Sequence, residues 1–442
     1  MSFTTAGPSC SRWSDVWLAA AARGVSTCGD FLAATALALA LQSAGAGGLA
    51  VSGLLLAATL PLVVLAPLTG RLADRVDSRT LLIGAGVAQA ATCAALAYAE
   101  HPALIIGLVT LLACGLAVTQ PNLAALVPAM VRAVDLPRAS AVNQTAGTLG
   151  ALVGPALAGL LVGQFGVRPP LLLDAASYLA LVVAGLLLRT RRGGARSSAT
   201  AQPTATTQPT GTAQLAASDG SPARATAATW RLRHDPLLLG MVAAMAGALA
   251  AVMAMTPVEV FFMRETLGSS TITYGIVTGA WTAGVLPGAW LFARLTHRLA
   301  DDGALVRAAL VLLGGCCLMV LAGATVPNAQ LLVPLWLIGG LCNGGDNVFS
   351  NVVLARRVPE AARGRAFAAL GAAIQGASMI GFLIGGLLLE FFAPRPLIAA
   401  AGLAGLLVIV ALWVPVARIV RRERSVRQGA VNAGLATPVP AR

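Results

Sequence analysis

Apolar residues along this chain gather into long runs, each separated from the next by a short polar stretch. A helix needs about 20 apolar residues to cross a bilayer. Runs of that size are read at Trp17–Ala40, Ala50–Gly70, Leu81–Ala99, Leu104–Pro128, Ser140–Gly163 and Pro170–Leu188. After a polar gap they resume at Leu237–Val258, Ile272–Ala293, Ala304–Ala324, Leu331–Leu354, Ala366–Leu389 and Pro396–Ala417. The pattern predicts an all-α membrane protein of twelve transmembrane helices, six on each side of the gap. From Thr190 to Thr229 the gap is rich in Ala, Thr, Ser, Gly, Pro and Gln and poor in large apolar residues. Such a segment cannot offset its ordering entropy and is expected to be disordered. The organisation read from sequence is a first six-helix bundle over residues 1–189, a cytoplasmic linker over 190–232, a second bundle over 233–420, and a basic cytoplasmic tail over 421–442.

Composition agrees with the pattern. With 57% apolar and 11% charged residues, there is too little polar surface to clothe a soluble protein of 442 residues. The net charge of +13 comes entirely from Arg, since the chain has no Lys. Arg12, Arg71, Arg75, Arg79, Arg132, Arg138, Arg294, Arg298, Arg307, Arg356, Arg357, Arg363 and Arg365 fall on one side of the predicted spans, with the linker and tail. Only Arg168, Arg264 and Arg395 fall on the other, and Arg23 lies inside the first span. Positive charge collects on the cytosolic side, so both termini are expected there, in a cytoplasmic (inner) membrane. The same charge makes anionic lipid head groups, rather than nucleic acid, the expected partner of the tail Arg418–Arg427. Cys28, Cys93, Cys114, Cys316, Cys317 and Cys342 lie within spans and Cys10 precedes them; without metal-ligand partners they read as small core residues. The first apolar stretch is too long for a cleavable signal and reads as a retained span.

The two halves echo each other. Arg138-Ala139 precedes Gly154-Pro155-Ala156-Leu157-Ala158-Gly159, and at the same offset Arg365-Ala366 precedes Gly381-Phe382-Leu383-Ile384-Gly385-Gly386. Gly70-Arg71-Leu72 and Arg75 find a weaker echo in Ala293-Arg294-Leu295 and Arg298. Parallel repeats of this kind describe a rocker in which a ligand binds between the halves.

One loop is more specific. Gly70-Arg71-Leu72-Ala73-Asp74-Arg75-Val76-Asp77-Ser78-Arg79-Thr80-Leu81 is a dense charged turn between two apolar spans. Its spacing resembles the loop between helices 2 and 3 of the major facilitator superfamily, departing mainly at Asp77, where the family usually has Gly. The resemblance implies two pseudo-symmetric six-helix bundles (the MFS fold). It further implies a cytoplasmic gate of Gly70, Asp74, Arg75 and Arg79, in which Asp74 meets the N-terminal end of helix 11 near Gly364-Arg365. A carboxylate there is favoured by up to about 2 kcal/mol, a size suited to a switch. Gly150, Gly154, Pro155 and Gly159 in span 5 resemble, in part, the glycine-proline motif of drug:proton antiporters of this superfamily, with Ala141 where the fuller motif has Gly. Close packing of helices 5 and 8 would explain the same residues. Leu171-Leu172-Leu173-Asp174-Ala175-Ala176-Ser177-Tyr178, the run from Arg23 to Asp30, and Val358-Pro359-Glu360 leading to Arg365-Ala366-Phe367-Ala368 resemble the branch of enterobactin exporters and macrolide efflux proteins. Span 4 lacks the Arg that many drug:proton antiporters carry.

Ionisable groups inside spans cost about 2.5–3.5 kcal/mol each at a helix centre and therefore mark candidate chemistry. Asp30 sits near mid-membrane with Arg23 two turns earlier on a similar face. Asp30 and Arg23 are the proton-coupling candidates, either as a cavity carboxylate exchanging a proton against substrate or as structural partners. Asn343, Asp346, Asn347 and Ser350 follow helical spacing in span 10 and make one face wet, lining a cavity or forming a hydrogen-bond seam. Asn143 and Gln144 in span 5, Gln120 and Asn122 in span 4, and Gln375 in span 11 are further substrate-cavity candidates, although such amides more often join helices. Asp174 and Glu259, near outer span ends, are placed to reach interfacial water in structural or gating roles. Trp281, Trp290 and Trp336 are read either as cavity stackers or, as aromatics in spans more often are, as packing at the membrane interface or against lipid.

The expected function is secondary active export, by proton-coupled antiport, of a small amphipathic molecule such as a drug, siderophore or other secondary metabolite. The expected partners are that substrate and membrane lipids, with a monomeric chain and a proton gradient in place of a cofactor or metal. An uptake transporter or facilitator of sugars or metabolites is the rival, and a non-transporting membrane sensor or assembly factor is the rival of another class. No nucleophile–base pair, metal cluster or phosphate loop marks an enzyme.

Overall fold

The computed structural model describes residues 11–66, 68–69, 72, 76–132, 134–188, 190, 235–299 and 301–432. The expected linker falls almost wholly outside them, as do Gly70, Asp74 and Arg75 of the charged loop. Among the described residues there is no strand, and the apolar runs form α1 (Trp13–Ser43), α2 (Gly48–Val64), α3 (Ser78–Leu96), α4 (Pro102–Met130), α5 (Leu136–Phe165) and α6 (Arg168–Leu187). The second half gives α7 (Pro236–Ala254), continued by a short helix Thr256–Phe261 and a π-turn Phe262–Thr266. It goes on with α8 (Thr271–Leu295), α9 (Asp302–Gly323), α10 (Leu332–Arg357), α11 (Glu360–Leu389) and α12 (Pro394–Asn432). Ten of these segments are long and apolar enough to cross a membrane. The other two are α2, with 17 residues, and α10, whose polar face of Asn343, Asp346, Asn347 and Asn351 dilutes its hydropathy. Large apolar side chains such as Leu111, Val311, Leu407 and Val410 stand more than half exposed on the perimeter, where lipid rather than water accounts for them.

The helices pack as two bundles with one plan. In the first, α1 lies against α5 and α6, α2 against α4, and α3 against α4 and α6; in the second, α7 lies against α11 and α12, α8 against α10, and α9 against α10 and α12. The bundles meet through α5 against α8 and α2 against α11, two equivalent crossings. A helix of this length spans the molecule, so the start of α1 defines a proximal end and the α1–α2, α5–α6, α7–α8 and α11–α12 turns a distal end.

Arginines stitch each bundle at the proximal end. Arg357 at the end of α10 bonds Asp235, which caps α7, at 2.8 Å and Glu423 of α12 at 2.8 Å, and Arg424 pairs with Asp301 before α9 at 2.5 Å. These pairs correct the expected boundary at residue 420: α12 continues through the basic segment to Asn432 because Glu423 and Arg424 anchor it to the bundle. Burial pushes the Asp301 carboxyl up, but the hydrogen bond and charge of Arg424 outweigh it and hold the group below its ordinary range. In the first bundle Ser11 Oγ donates to Asp135 at 2.5 Å, and that bond, aided by Arg132, holds the Asp135 carboxyl low. Asp77, where the family pattern has Gly, accepts from the Arg79 N–H at 3.0 Å and caps α3. Arg357→Gln strips two half-buried carboxylates of their partner and should cost about 2 kcal/mol, read as a lower thermal midpoint of the detergent-solubilised protein.

Candidate functional site

Among the described residues each bundle encloses a cavity lined by its own helices. In the first, Arg23, Ser26, Thr27 and Asp30 recur every three or four residues along α1 and so share one stripe. They face Leu116, Thr119, Gln120 and Leu123 of α4 and Leu181 of α6 around a space of about 40 Å³. Among the described residues Arg23 and Asp30 line this space without forming an ion pair, so Asp30 is not neutralised by Arg23. Its partner is instead Tyr178, whose hydroxyl donates to Asp30 Oδ1 at 2.5 Å.

A second carboxylate stands behind that bond. Asp174, one turn before Tyr178 on α6, is fully buried and accepts from Ser177 Oγ at 3.0 Å and from Cys93 Sγ of α3 at 3.2 Å. This corrects the placement of Asp174 at interfacial water: Leu171, Asp174, Tyr178 and Leu181 form the buried stripe of α6, and its acid points inward with them. Gly29 makes the approach of α1 possible, because a Cβ there would overlap Asp174 Oδ1 and Ser177 Oγ. The result is a buried polar cluster of Asp30, Tyr178, Asp174, Ser177 and Cys93 across three helices. The Asp-Ala-Ala-Ser-Tyr run was the sequence signal for it, since acid, hydroxyl and phenol recur there on one helical face.

The larger cavity, about 270 Å³, lies in the second bundle. Asn343, Asp346 and Asn347 of α10 line it, with Met245, Leu249, Val252 and Met253 of α7, Trp281 of α8, Leu313 and Cys316 of α9, and Ile374 and Ser378 of α11. Asp346 accepts from Ser350 Oγ at 3.3 Å, and the Asn347 amide donates to the Asn343 carbonyl at 2.9 Å. The polar atoms of this face thus bond along their own helix and keep the side facing the cavity open. Gln375 is half-buried between the lining residues Ile374 and Ser378. Asn143 and Gln144 line neither cavity: Asn143 is buried on the stripe it shares with Gly147 and Gly150, and Gln144 is exposed. Asn122 is buried and donates to the Ser78 carbonyl at 3.0 Å, a helix-joining bond.

Behind the large cavity sits another acid. Glu259 is buried and accepts from Trp336 Nε1 at 2.8 Å, and Trp336 meets Trp281 edge to face at 6.5 Å. Neither Glu259 nor Trp336 lies at the interface the sequence suggested; each supplies the polar partner that the other needs in an apolar interior. Trp290 is exposed, with Arg294 stacked over its ring. Because an amide oxygen also accepts the indole N–H, Glu259→Gln should retain stability. Glu259→Leu strands that donor and should cost about 1–3 kcal/mol, measurable as a difference in thermal midpoint.

The glycines of α5 serve two neighbours. A Cβ on Gly154 would stand 2.7 Å from the Cys28 carbonyl oxygen of α1, and one on Gly150 would overlap the Gly24 carbonyl. Gly159 faces the other way, against the Thr271 carbonyl of α8, while Gly275 of α8 presses on the Pro155 carbonyl. The second bundle repeats this: Gly381 meets Ala250 of α7, and Gly386 meets Gly48 and Ser52 of α2. At the distal end hydrogen bonds cross between the bundles among the described residues, from Ser52 Oγ to the Phe382 carbonyl at 2.6 Å, from the Leu49 N–H to Glu390 at 3.1 Å, and from Gln42 to Glu265 at 3.1 Å.

Comparison with known proteins bears on what such a pair of bundles does. The model of the Major Facilitator Superfamily matches residues 19–327 and 260–439. A Bacillus subtilis (strain 168) protein, the uncharacterized MFS-type transporter YfiS, is 24% identical over 377 residues, covering 84% of this chain and 86% of that one. Among solved structures, the nucleoside transporter NupG superposes with a TM-score of 0.66 at 14% identity, over 90% of this chain and 98% of that one. The peptide transporter POT in complex with sulfate gives 0.66 at 15% identity, over 92% and 95%. A bacterial homolog of the human lysosomal transporter Spinster gives 0.65 at 12%, over 95% and 98%.

Proposed function

Because the chain belongs to the Major Facilitator Superfamily, a transporter family, we propose that it is a proton-coupled exporter of a small amphipathic molecule, working by alternating access. The observation that carries this reading is the pair of acid-bearing cavities on two bundles that touch along glycine-smoothed crossings. Substrate enters the cavity of the second bundle from the proximal, cytosolic side. The bundles then rock about the α5–α8 and α2–α11 crossings, breaking the distal hydrogen bonds of Ser52, Leu49 and Gln42. Asp30 takes a proton from the outside in that state and gives it up to the cytosol on return, with the Tyr178 hydroxyl holding the carboxyl in place. Asp174 stands close behind as the second acid of the same polar cluster. As the family resemblance implies, Asp74 latches the proximal end against the start of α11 when the distal end is open. The protein sits as a monomer in the cytoplasmic membrane with both termini inside, needs no cofactor, and is not an enzyme.

The resemblance to enterobactin exporters and macrolide efflux proteins supports outward movement. The fold shared with NupG and POT, named as nucleoside and peptide transporters, keeps uptake of a metabolite as the second reading. Tracer flux separates the two. The export reading expects accumulation in inverted vesicles under an inside-acid gradient, and accumulation only in right-side-out vesicles would establish uptake instead. Asp74→Asn should shift the balance between inward and outward forms, read by cysteine accessibility at the two ends; an unchanged balance would remove the latch.

A further inference from the structure

The larger cavity holds one acid and no base. Asp346 is buried in its wall at 2% exposure, and among the described residues it forms no ion pair. None of the lining residues is Arg or His, and the chain contains no Lys. A carboxylate placed in an apolar interior without a counter-charge is costly, and such groups are kept where something else supplies the charge. The rest of the lining suits a soft apolar body with a cationic head. Met245 and Met253 adapt to irregular shapes, and Trp281 is an indole, whose ring face attracts a cation. The Asn347 amide nitrogen is spent on the Asn343 carbonyl and Oδ1, and Ser350 Oγ bonds Asp346 Oδ1, so the lining offers a ligand Asp346 Oδ2 and Asn347 Oδ1 as acceptors, beside the Asn343 amide and Trp281 Nε1 as donors; Asp346 is its one acidic group.

We propose that this cavity binds an organic cation, a protonated or quaternary amine carrying an apolar group, with its charge against Asp346 and its body against Met245, Met253 and Trp281. The proposal rests on the transporter reading above and deepens it by naming the charge of the cargo. It disfavours anionic cargo such as a catecholate chelator, which Asp346 would repel. The volume of about 270 Å³ sits just under the usual range of drug-sized sites, so the occupant is small, on the scale of one aromatic ring with an alkylammonium head.

The test uses full-length protein in nanodiscs, with benzyltriethylammonium as the probe, its neutral all-carbon isostere as the control for shape, and benzenesulfonate as the anion. Binding is read by tryptophan fluorescence and by isothermal titration calorimetry. The cation should bind at least about tenfold more tightly than the isostere, and Asp346→Asn should remove that preference while keeping isostere binding. Equal binding of the isostere or the sulfonate, or an undiminished preference in Asp346→Asn, overturns the proposal. Should Asp346→Asn fail to fold, binding of the cation to the wild-type protein at least about tenfold tighter than of the isostere and the sulfonate decides the matter alone. Flux of the same probes in vesicles keeps the two readings apart. Selective binding without flux upholds the cation site and rejects the transporter, whereas flux of neutral or anionic molecules without cation selectivity does the reverse.

Discussion

Asp30→Asn should abolish pH-gradient-driven flux while leaving a folded protein. The substitution keeps the shape of the side chain and an oxygen for the Tyr178 hydroxyl, so the buried cluster of α1, α3 and α6 loses little packing. What it removes is the only function for which an acid is needed there, the taking and releasing of a proton. Flux should fall at least about tenfold, equivalent to ~1.4 kcal/mol, with substrate counterflow in the absence of a gradient retained. Retained gradient-driven flux would show that the proton is carried elsewhere, and Asp174 is the next acid to test. Tyr178→Phe separates positioning from titration: it leaves the acid and removes the donor, so it should slow coupled flux without abolishing it.

The second large effect is expected at the crossing of α5 and α8. Gly159 and Gly275 each press directly on the backbone of the facing helix, at Thr271 and Pro155. Gly275→Leu puts a branched side chain where no Cβ fits, and overpacking of this kind costs about 1–3 kcal/mol. Because the same surface must slide as the bundles rock, transport should drop at least about tenfold, more than stability alone explains. Vesicle flux normalised to folded protein, measured beside Gly371→Leu on a glycine with open space around it, checks this. Equal effects at the two positions would deny the crossing its special role.

Much of this architecture could be read before any coordinates. Long apolar runs have few structural outlets, so helix existence followed from hydropathy, and the Gly154 and Gly381 segments at one offset already implied equivalent positions. The side chains were harder. Hydropathy alone puts Asp174 and Glu259 near span ends, and hence near water. A helix carries a residue inward or outward by its angle as much as by its depth, and Asp174 sits one turn from Tyr178 on the inward stripe. An aromatic near a span end usually faces the interface, but Trp336 turns inward because Glu259 lies within reach of its N–H. The pairing of Asp30 with Tyr178 joins α1 to α6, and no local spacing could announce it. Asp346 was legible as part of a wet face, whereas the absence of a cation around it required the packing of four other helices.

Alternating access requires the bundles to part at the distal end in every cycle, and a reversible bond across that end blocks the step. Gln42 and Glu265, in contact at 3.1 Å, are exposed residues on opposite bundles. In a Gln42→Cys/Glu265→Cys double variant, a short bifunctional methanethiosulfonate bridging the two thiols should stop flux and reduction should restore it, with neither single variant responding. Full flux with the bridge shown intact by mass spectrometry would mean that the distal ends need not separate.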